Sequence, residues 1–227
     1  MSSSAKLSAE LKCEILLEIA RRTGRTFELQ DVLRLLLEAL RSVVSYDAAG
    51  IFVLNESVPL GQGAGRNLIA GMASTGFDAS PADKDPMLRF GRGVIGHVIR
   101  TGVIAVLPDV RRDPRYVVGR RDTLSEVAVP IVSDGQVIGA LNLESDHLAA
   151  FTEEHVGTLE FFAQAAGLLI EKAIVHQQLV DKKRIENQLR IARDLARQLN
   201  NFRLKDGGLL GDIQLDEVLG RLAYMTA

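Results

Sequence analysis

The chain has 227 residues but only one cysteine and no tryptophan. Cys13 alone cannot form a disulfide within the chain, and zinc sites built from several cysteines are likewise excluded. No apolar run approaches the ~20 residues that a membrane-spanning helix needs. The first residues, Met1 to Lys6, lack the apolar segment of a signal peptide. These absences predict a cytoplasmic protein that makes no membrane contact.

An excess of charge of one sign is also missing, because the net charge is −2. This balance predicts no nucleic-acid partner. We interpret the one dense basic cluster as a solvated loop, with attraction of an anionic ligand as the alternative. The basic cluster comprises Arg111, Arg112, Arg115, Arg120 and Arg121.

The four histidines show no zinc-like spacing, so no metal site is predicted.

The apolar residues that are present recur with the periods of helices and strands, which predicts a mixed α+β fold. A helical pattern covers residues 7–45, with an interruption at Gly24. Asp134-Gly135 separates two apolar runs, which is typical of a tight β-hairpin. The predicted strands are 48–54, 67–73, 103–107, 126–132 and 137–144, and a short helix is predicted at 93–100.

A long helix is predicted from Thr152, whose hydroxyl can cap it, and its character changes along its length. Up to Ile174 the helix has a broad apolar face, as expected of a helix that packs on a sheet. Further along, apolar residues alternate spacings of four and three, which predicts a coiled-coil seam. The alternative is a lone, solvated helix. The seam consists of Ile185, Leu189, Ala192, Ala196 and Leu199.

An ordered set of short motifs between residues 90 and 152 resembles the GAF domain family. The resemblance extends over about residues 27–175, and it implies a GAF-like (PAS-related) antiparallel sheet of five or six strands with flanking helices. It also implies a small-molecule pocket on one face of the sheet. The motifs are Gly91–Gly96, Thr101-Gly102, Pro108–Val110, Asp113–Tyr116, Ser125-Glu126, Val129–Ile131, Glu144-Ser145 and Phe151-Thr152.

Four segments are predicted on this basis. Residues 1–26 form an N-terminal helix, and residues 27–175 form the GAF domain. Residues 176–206 form a coiled-coil signalling linker. Residues 207–227 begin a second GAF-like domain or form a terminal helix, because residues 213–219 resemble residues 27–33.

The pocket implied by the resemblance supplies the candidate ligand-binding residues. Glu126 and Glu144 fall near the ends of adjacent predicted strands, and we interpret them as ligand contacts rather than as a catalytic acid/base pair. The candidates are Phe90, Val94, Ile95, Val98, Val110, Arg115, Tyr116, Ser125, Glu126, Val127 and Glu144.

The predicted function is a non-catalytic sensory domain of a bacterial signalling protein. It binds a small molecule of unknown identity and acts on an output domain through a helical homodimer. Some members of the family reduce free methionine sulfoxide or carry a covalent bilin, and both activities use cysteines that this chain lacks. The cyclic-nucleotide signature of other members is absent, and the cofactor is unknown. The chain is therefore predicted not to be an enzyme.

Two alternatives remain. The first is a dimerising scaffold without ligand, and the second is the regulatory part of a PPM-type serine phosphatase or a sensor histidine kinase. The phosphatase alternative depends on the stretch 188–196, which resembles the linker before such phosphatase domains.

Overall fold

The computed structural model describes residues 8–23, 28–54, 69–77 and 93–205. Several features named from the sequence lie outside these ranges, among them the interruption at Gly24, the candidate ligand residue Phe90, the start of the Gly91–Gly96 motif and the segment 207–227.

Five strands form one antiparallel sheet with the order β2-β1-β5-β4-β3. The fold class predicted from the sequence is confirmed. Strand β3 is shorter than predicted because its pairing with β4 begins only at Ala105. The strands are β1 (Ala48–Leu54), β2 (Ile69–Thr75), β3 (Ala105–Leu107), β4 (Ser125–Ser133) and β5 (Gln136–Ser145).

Among the described residues, four α-helices accompany the sheet. The helical pattern of residues 7–45 divides into two of them, and the short helix and the long C-terminal helix are present as predicted. A short 3₁₀ turn, Val110–Arg112, follows β3. The helices are α1 (Ala9–Thr23), α2 (Leu29–Leu40), α3 (Gly93–Thr101) and α4 (Glu153–Lys205).

The hairpin between β4 and β5 is the one predicted from Asp134-Gly135. Both residues have positive φ angles, 47° for Asp134 and 75° for Gly135. Two consecutive residues of this kind produce a turn whose twist matches that of the flanking strands. The turn sets Ser133 opposite Gln136, and a β-bulge between Ile131 and Val132 shifts the register by one residue, so that Glu126 on β4 faces Glu144 on β5.

The sheet is covered on both faces, and the alternation of side chains along each strand sorts residues between two cores. On β4, Val127, Val129 and Ile131 belong to the core on the helix side, together with residues of α1, α2 and α4. Ala128 belongs to the core on the opposite side, which we call the site side, together with residues of α3. Because both faces of the sheet are buried, the sequences of β4 and β5 are nearly continuous runs of apolar residues, interrupted by a few polar ones.

The chain divides after His176 into two units, residues 1–176 and 177–227. The first unit holds the sheet and the part of α4 that contributes to the helix-side core, up to Ala173. In the second unit, residues 177–197 form regular helix whose apolar side chains are largely exposed. No helix among the described residues is both long and apolar enough to span a membrane.

Gly167 on α4 fixes how closely this helix approaches the sheet. A Cβ atom on Gly167 would lie 2.4 Å from the carbonyl oxygen of Val132, which is too close for any side chain. One turn further along, Ser133 donates a hydrogen bond to Glu171. Helix and strand therefore pack backbone against backbone at the hairpin end of β4.

Replacing Gly167 by alanine should reduce the free energy of unfolding by about 2 kcal/mol, because the added methyl group forces α4 away from Val132. Urea denaturation monitored by circular dichroism measures this loss. Leu168→Ala is the matched control, since Leu168 is 66% exposed and its truncation should change stability by less than about 0.5 kcal/mol. Equal stability of the Gly167→Ala and Leu168→Ala variants would contradict the close packing.

Candidate ligand site

Two glutamates lie directly opposite each other on neighbouring strands on the site side of the sheet. Glu126 on β4 pairs in register with Glu144 on β5. Their exposed fractions are only 3% and 4%. Like charges opposite each other on a sheet are destabilising, and burial away from water adds to the cost. Such an arrangement persists only where neighbouring groups or protons compensate.

Asn142 lies two residues before Glu144 on β5, on the same face of the sheet, and its amide stands between the two carboxyl groups. With its nitrogen turned towards β4, it donates to Glu126 Oε1 at 2.7 Å and to the carbonyl of Val127 at 3.3 Å. The reverse orientation gives one contact of 3.4 Å, from the nitrogen to Glu144 Oε1. We adopt the first orientation because it satisfies the amide better. Asn142 then serves as a donor to Glu126.

The second oxygen of Glu126, Oε2, is buried and has no hydrogen-bond partner among the described residues. Burial raises the pKa of Glu126 well above its usual value, and the negative charges of Glu144 and Asp113 raise it further. The hydrogen bond from Asn142 and the positive charge of Arg115 act in the opposite direction. Glu126 therefore retains its proton at a pH where an exposed glutamate has lost it.

Glu144 accepts its hydrogen bond from the loop that precedes β4. Thr123, itself 4% exposed, donates its hydroxyl to Glu144 Oε2 at 2.5 Å. Burial raises the pKa of Glu144, while the hydrogen bond from Thr123 opposes that increase. Each carboxyl therefore has one side-chain donor, Asn142 for Glu126 and Thr123 for Glu144, and the buried Oε2 of Glu126 has no partner among the described residues.

The loop that joins β3 to β4 lies against this pair. A Cβ atom on Gly119 would be 3.7 Å from Glu144 Oε1 and 3.6 Å from the ring of Phe77. Tyr116 packs against the site-side core, and its hydroxyl reaches the carbonyl of Arg120 at 3.5 Å. Burial and the nearby charge of Glu144 raise the pKa of the Tyr116 phenol. The loop therefore forms a cover over the carboxyl groups.

The structure brings several of the predicted candidates together. Glu126 and Glu144 are adjacent, and Tyr116 lies beside them. Arg115 forms an ion pair with Asp113 at 2.6 Å, and its positive charge is close enough to Glu126 to lower the pKa of that carboxyl. The apolar candidates of the site-side core are Val94, Ile95, Val98 and Val110.

Two candidates belong to the opposite face of the sheet, and the prediction that grouped them with Glu126 is corrected. Val127 belongs to the helix-side core. Ser125 is fully buried and donates its hydroxyl to the carbonyl of His147 at 2.6 Å. Both flank Glu126 in the sequence, and neighbours along a strand point to opposite faces.

Sequence analysis did not identify Asn142 or Thr123. The period of two along β5 already places Asn142 on the face of Glu144, so this signal was available. Thr123 belongs to an irregular loop, where no periodicity indicates the direction of a side chain.

Two carboxyl groups and the Tyr116 phenol lie together, and the buried Oε2 of Glu126 has no hydrogen-bond partner among the described residues. Once Glu126 loses its proton, both of its oxygens are acceptors. Within the described ranges, no three histidine, cysteine, aspartate or glutamate side chains are placed to hold a metal ion. A ligand that offers hydrogen-bond donors or a positive charge complements this arrangement.

Comparison with known proteins identifies relatives of this fold. The sequence model of the GAF domain matches residues 28–171. The chain is 25% identical over 187 residues to the Nif-specific regulatory protein of Azospirillum brasilense, a match that covers 78% of this chain and 28% of that protein. A solved GAF domain of a phosphoenolpyruvate-protein phosphotransferase from Coxiella burnetii aligns with a TM-score of 0.59 and 21% identity, covering 76% of this chain and 99% of that one.

The prediction that the chain is not an enzyme is contradicted by a further relative. The free methionine-R-sulfoxide reductase of Saccharomyces cerevisiae is 32% identical over 89 residues, which cover 39% of this chain and 48% of that protein. Because an enzyme is among the relatives, similarity to known proteins does not exclude a catalytic activity in this chain. The chain spans less than half the length of both curated relatives.

The raised pKa values predict how stability depends on pH. Above the usual glutamate pKa of 4.5, the native state still holds protons on Glu126 and Glu144 that the unfolded chain has released. The free energy of unfolding should therefore fall as the pH rises from that value towards the native pKa, by up to about 1.4 kcal/mol per pH unit for each such proton.

Glu126→Gln should remove much of this slope, because the amide is neutral at every pH. Urea denaturation between about pH 5 and about pH 8 measures it. Glu186→Gln, at an exposed position of α4, is the control that should keep the wild-type slope. A slope that is identical in wild type and Glu126→Gln would contradict the assignment of a protonated Glu126.

Proposed function

This chain belongs to the GAF domain family, and we propose that it is a regulatory domain which binds a small ligand at the carboxyl cluster of β4 and β5. The chain is homologous to regulatory proteins, since the Azospirillum relative is named as one. We further propose that it works in the cytoplasm, as one part of a signalling protein.

The observation that carries the proposal is the buried oxygen of Glu126 that lacks a partner. Leaving a buried acceptor unsatisfied costs about 1–3 kcal/mol, and more for a charged group. Folded proteins retain few such groups, and a bound water, ion or ligand is one way in which the missing hydrogen bond is supplied. A ligand with a donor aimed at Glu126 Oε2 supplies the missing hydrogen bond and allows Glu126 to ionise.

The ligand chemistry that fits is a small molecule with a cationic or donor-rich group and an apolar part. The acceptors of Glu126, Glu144 and Tyr116 suit the polar group. The site-side core around Val98 and Val110, both at most 2% exposed, offers apolar surroundings for the remainder. The yeast relative acts on free methionine-R-sulfoxide, as its name states, and this compound serves as one probe.

We also propose that residues 177–197 of α4 mediate homodimerisation and transmit the ligand state to an output domain. Ile185 and Leu189 are 56% and 52% exposed, and Ala192 and Ala196 continue their line at spacings of three and four. Apolar residues in such a repeat are usually buried against another helix. A dimerising scaffold without ligand remains the second candidate, and the same helix face favours it.

The boundaries of this arrangement remain part of the proposal. Residues 27–175 are the GAF domain and residues 176–206 the signalling linker. The output domain is unidentified, and the regulatory part of a PPM-type serine phosphatase or of a sensor histidine kinase is compatible with this layout.

Ligand binding should raise the melting temperature of the protein. The probes are free amino acids including methionine sulfoxide, small amines and nucleosides, with small carboxylic acids as the oppositely charged set. A ligand at one hundred times its dissociation constant should stabilise the fold by about 2.7 kcal/mol. Differential scanning fluorimetry detects this effect, and calorimetry then measures the affinity.

Glu126→Gln should weaken the affinity about tenfold, because the amide cannot ionise to pair with a cationic or donor group. Glu186→Gln should leave the affinity unchanged, because Glu186 is an exposed residue of α4 that is not part of the site. Stabilisation by the carboxylic acids alone, or equal affinity for wild type and Glu126→Gln, would contradict a cationic or donor-rich ligand at this site.

Leu189→Asp should convert a dimer to a monomer, because a carboxylate on the apolar line places like charges at the interface between helices. Light scattering coupled to size-exclusion chromatography measures the mass. Arg190→Asp is the matched control, since Arg190 is rotated by about 100° around the helix from Leu189, away from the apolar line. Dimers that persist in Leu189→Asp, or a wild type that is monomeric, would overturn the dimer proposal.

A further inference from the structure

The loop between β3 and β4 is held over the two carboxyl groups by a small number of hydrogen bonds. At its C-terminal end, Leu124 donates its N–H to the carbonyl of Ser145 at 2.8 Å. Next to it, Thr123 donates to Glu144. Both contacts lie where the loop enters β4, so they fix its root rather than its middle.

The middle of the loop is held by Arg120. The guanidinium forms a bidentate ion pair with Asp146, in which Nη1 donates to Oδ1 and Nη2 donates to Oδ2 at 2.9 Å. Among the hydrogen bonds of the described residues, this pair is the one that joins residues 114–122 to the end of β5. The side chains are only 19% and 35% exposed, so the pair is partly shielded from water.

The acidic partner in this pair is rigidly placed. Asp47, immediately before β1, accepts hydrogen bonds on Oδ2 from the hydroxyl of Ser145 and from the N–H of Asp146, both at 2.8 Å. Its own N–H donates to the carbonyl of Glu144 at 3.0 Å. Asp146 is therefore fixed to the sheet through two strands, and a bidentate partner with low mobility forms a stronger ion pair than an exposed one.

The carboxyl groups beneath the loop are closed to solvent. Exposed fractions of 3% and 4% show that both carboxyls are buried, and Gly119 and Thr123 of the loop lie against Glu144. A ligand that contacts Glu144 from this side therefore requires the loop to move. The strength of its attachment then sets how often the site opens.

We propose that Arg120 and Asp146 form a clasp that holds the β3–β4 loop over the carboxyl site and controls its opening to small molecules. Both are positioning residues, because neither contacts the Glu126 oxygen that awaits a donor. The proposal rests on the proposed ligand site, but opening of the loop is measurable without any ligand.

A second bidentate pair in the same loop supplies a matched control. Arg111 donates to Asp109 through Nε at 2.7 Å and through Nη2 at 2.8 Å. These residues are two positions apart and belong to the same turn, so their pair does not connect the loop to the sheet. Arg111→Gln therefore removes a similar ion pair without detaching the β3–β4 loop from the sheet.

Opening is measured with a reporter cysteine at the buried root of the loop, beside Glu144. Cys13, which is exposed, is first replaced by serine, and Thr123→Cys then places a thiol at a position that is 4% exposed. The probe is the disulfide reagent DTNB, which reacts with the thiol only when the loop is open. Ala163→Cys, at a position that is 1% exposed in the helix-side core, reports global unfolding in a parallel protein.

Arg120→Gln should accelerate labelling of the Thr123→Cys reporter by about tenfold, as expected for loss of a charge-assisted pair, and should leave the Ala163→Cys reporter unchanged. Asp146→Asn should have the same effect, and the double variant should be no faster than either single variant. Arg111→Gln should label at the wild-type rate. Hydrogen exchange of the Tyr116 and Leu124 amides in the chain that retains Thr123 should show the same pattern.

Equal labelling rates for Arg120→Gln and Arg111→Gln would overturn the clasp, as would additive effects of Arg120→Gln and Asp146→Asn. A parallel acceleration at both reporters would also overturn it, because it would show a general loss of stability. None of these results depends on ligand, so failure of the clasp is distinct from failure of the proposed ligand to bind.

Discussion

The cross-strand contact between Glu126 and Glu144 destabilises the fold, and the surrounding structure has to offset this loss of free energy. Two buried carboxyls in register on β4 and β5 repel each other when both are ionised. Asn142 and Thr123 each donate to one of them. In the free protein a proton on Glu126 removes the remaining repulsion. In our proposal a donor of the ligand replaces that proton, so that binding and proton release are linked.

The sheet keeps this polar cluster apart from the core on its other face. Because side chains alternate along a strand, Glu126 and Val127 serve two different cores although they are neighbours in sequence. β4 carries the carboxyl at one end and contacts Gly167 and Glu171 of α4 at the other. A ligand that changes the position of β4 therefore acts on a helix with which it shares a backbone contact, and a change can reach the helix only if the ligand binds two states unequally.

The cover over the cluster depends on a different kind of interaction. Arg120 and Asp146 are 26 positions apart, and Asp47 holds the acidic partner from a third segment. An ion pair between residues so distant in sequence connects a loop to a sheet, whereas the pair of Arg111 and Asp109 only stiffens a turn. Site chemistry and site access are thus assigned to separate groups of residues.

Much of the fold was predictable from the sequence, since local apolar pattern and turn chemistry determine it: short apolar runs identified β1, β4 and β5, and Asp134-Gly135 identified the hairpin. The sequence also placed Glu126 and Glu144 near the ends of adjacent strands, whereas the bulge that brings them into register was visible only in the structure. It assigned Val127 to the wrong face, and it missed Thr123, whose direction is set by a loop without a period. Only the tertiary structure decided the burial of the carboxyls, the unpartnered oxygen of Glu126 and the clasp of Arg120, because these depend on contacts between segments far apart in the chain.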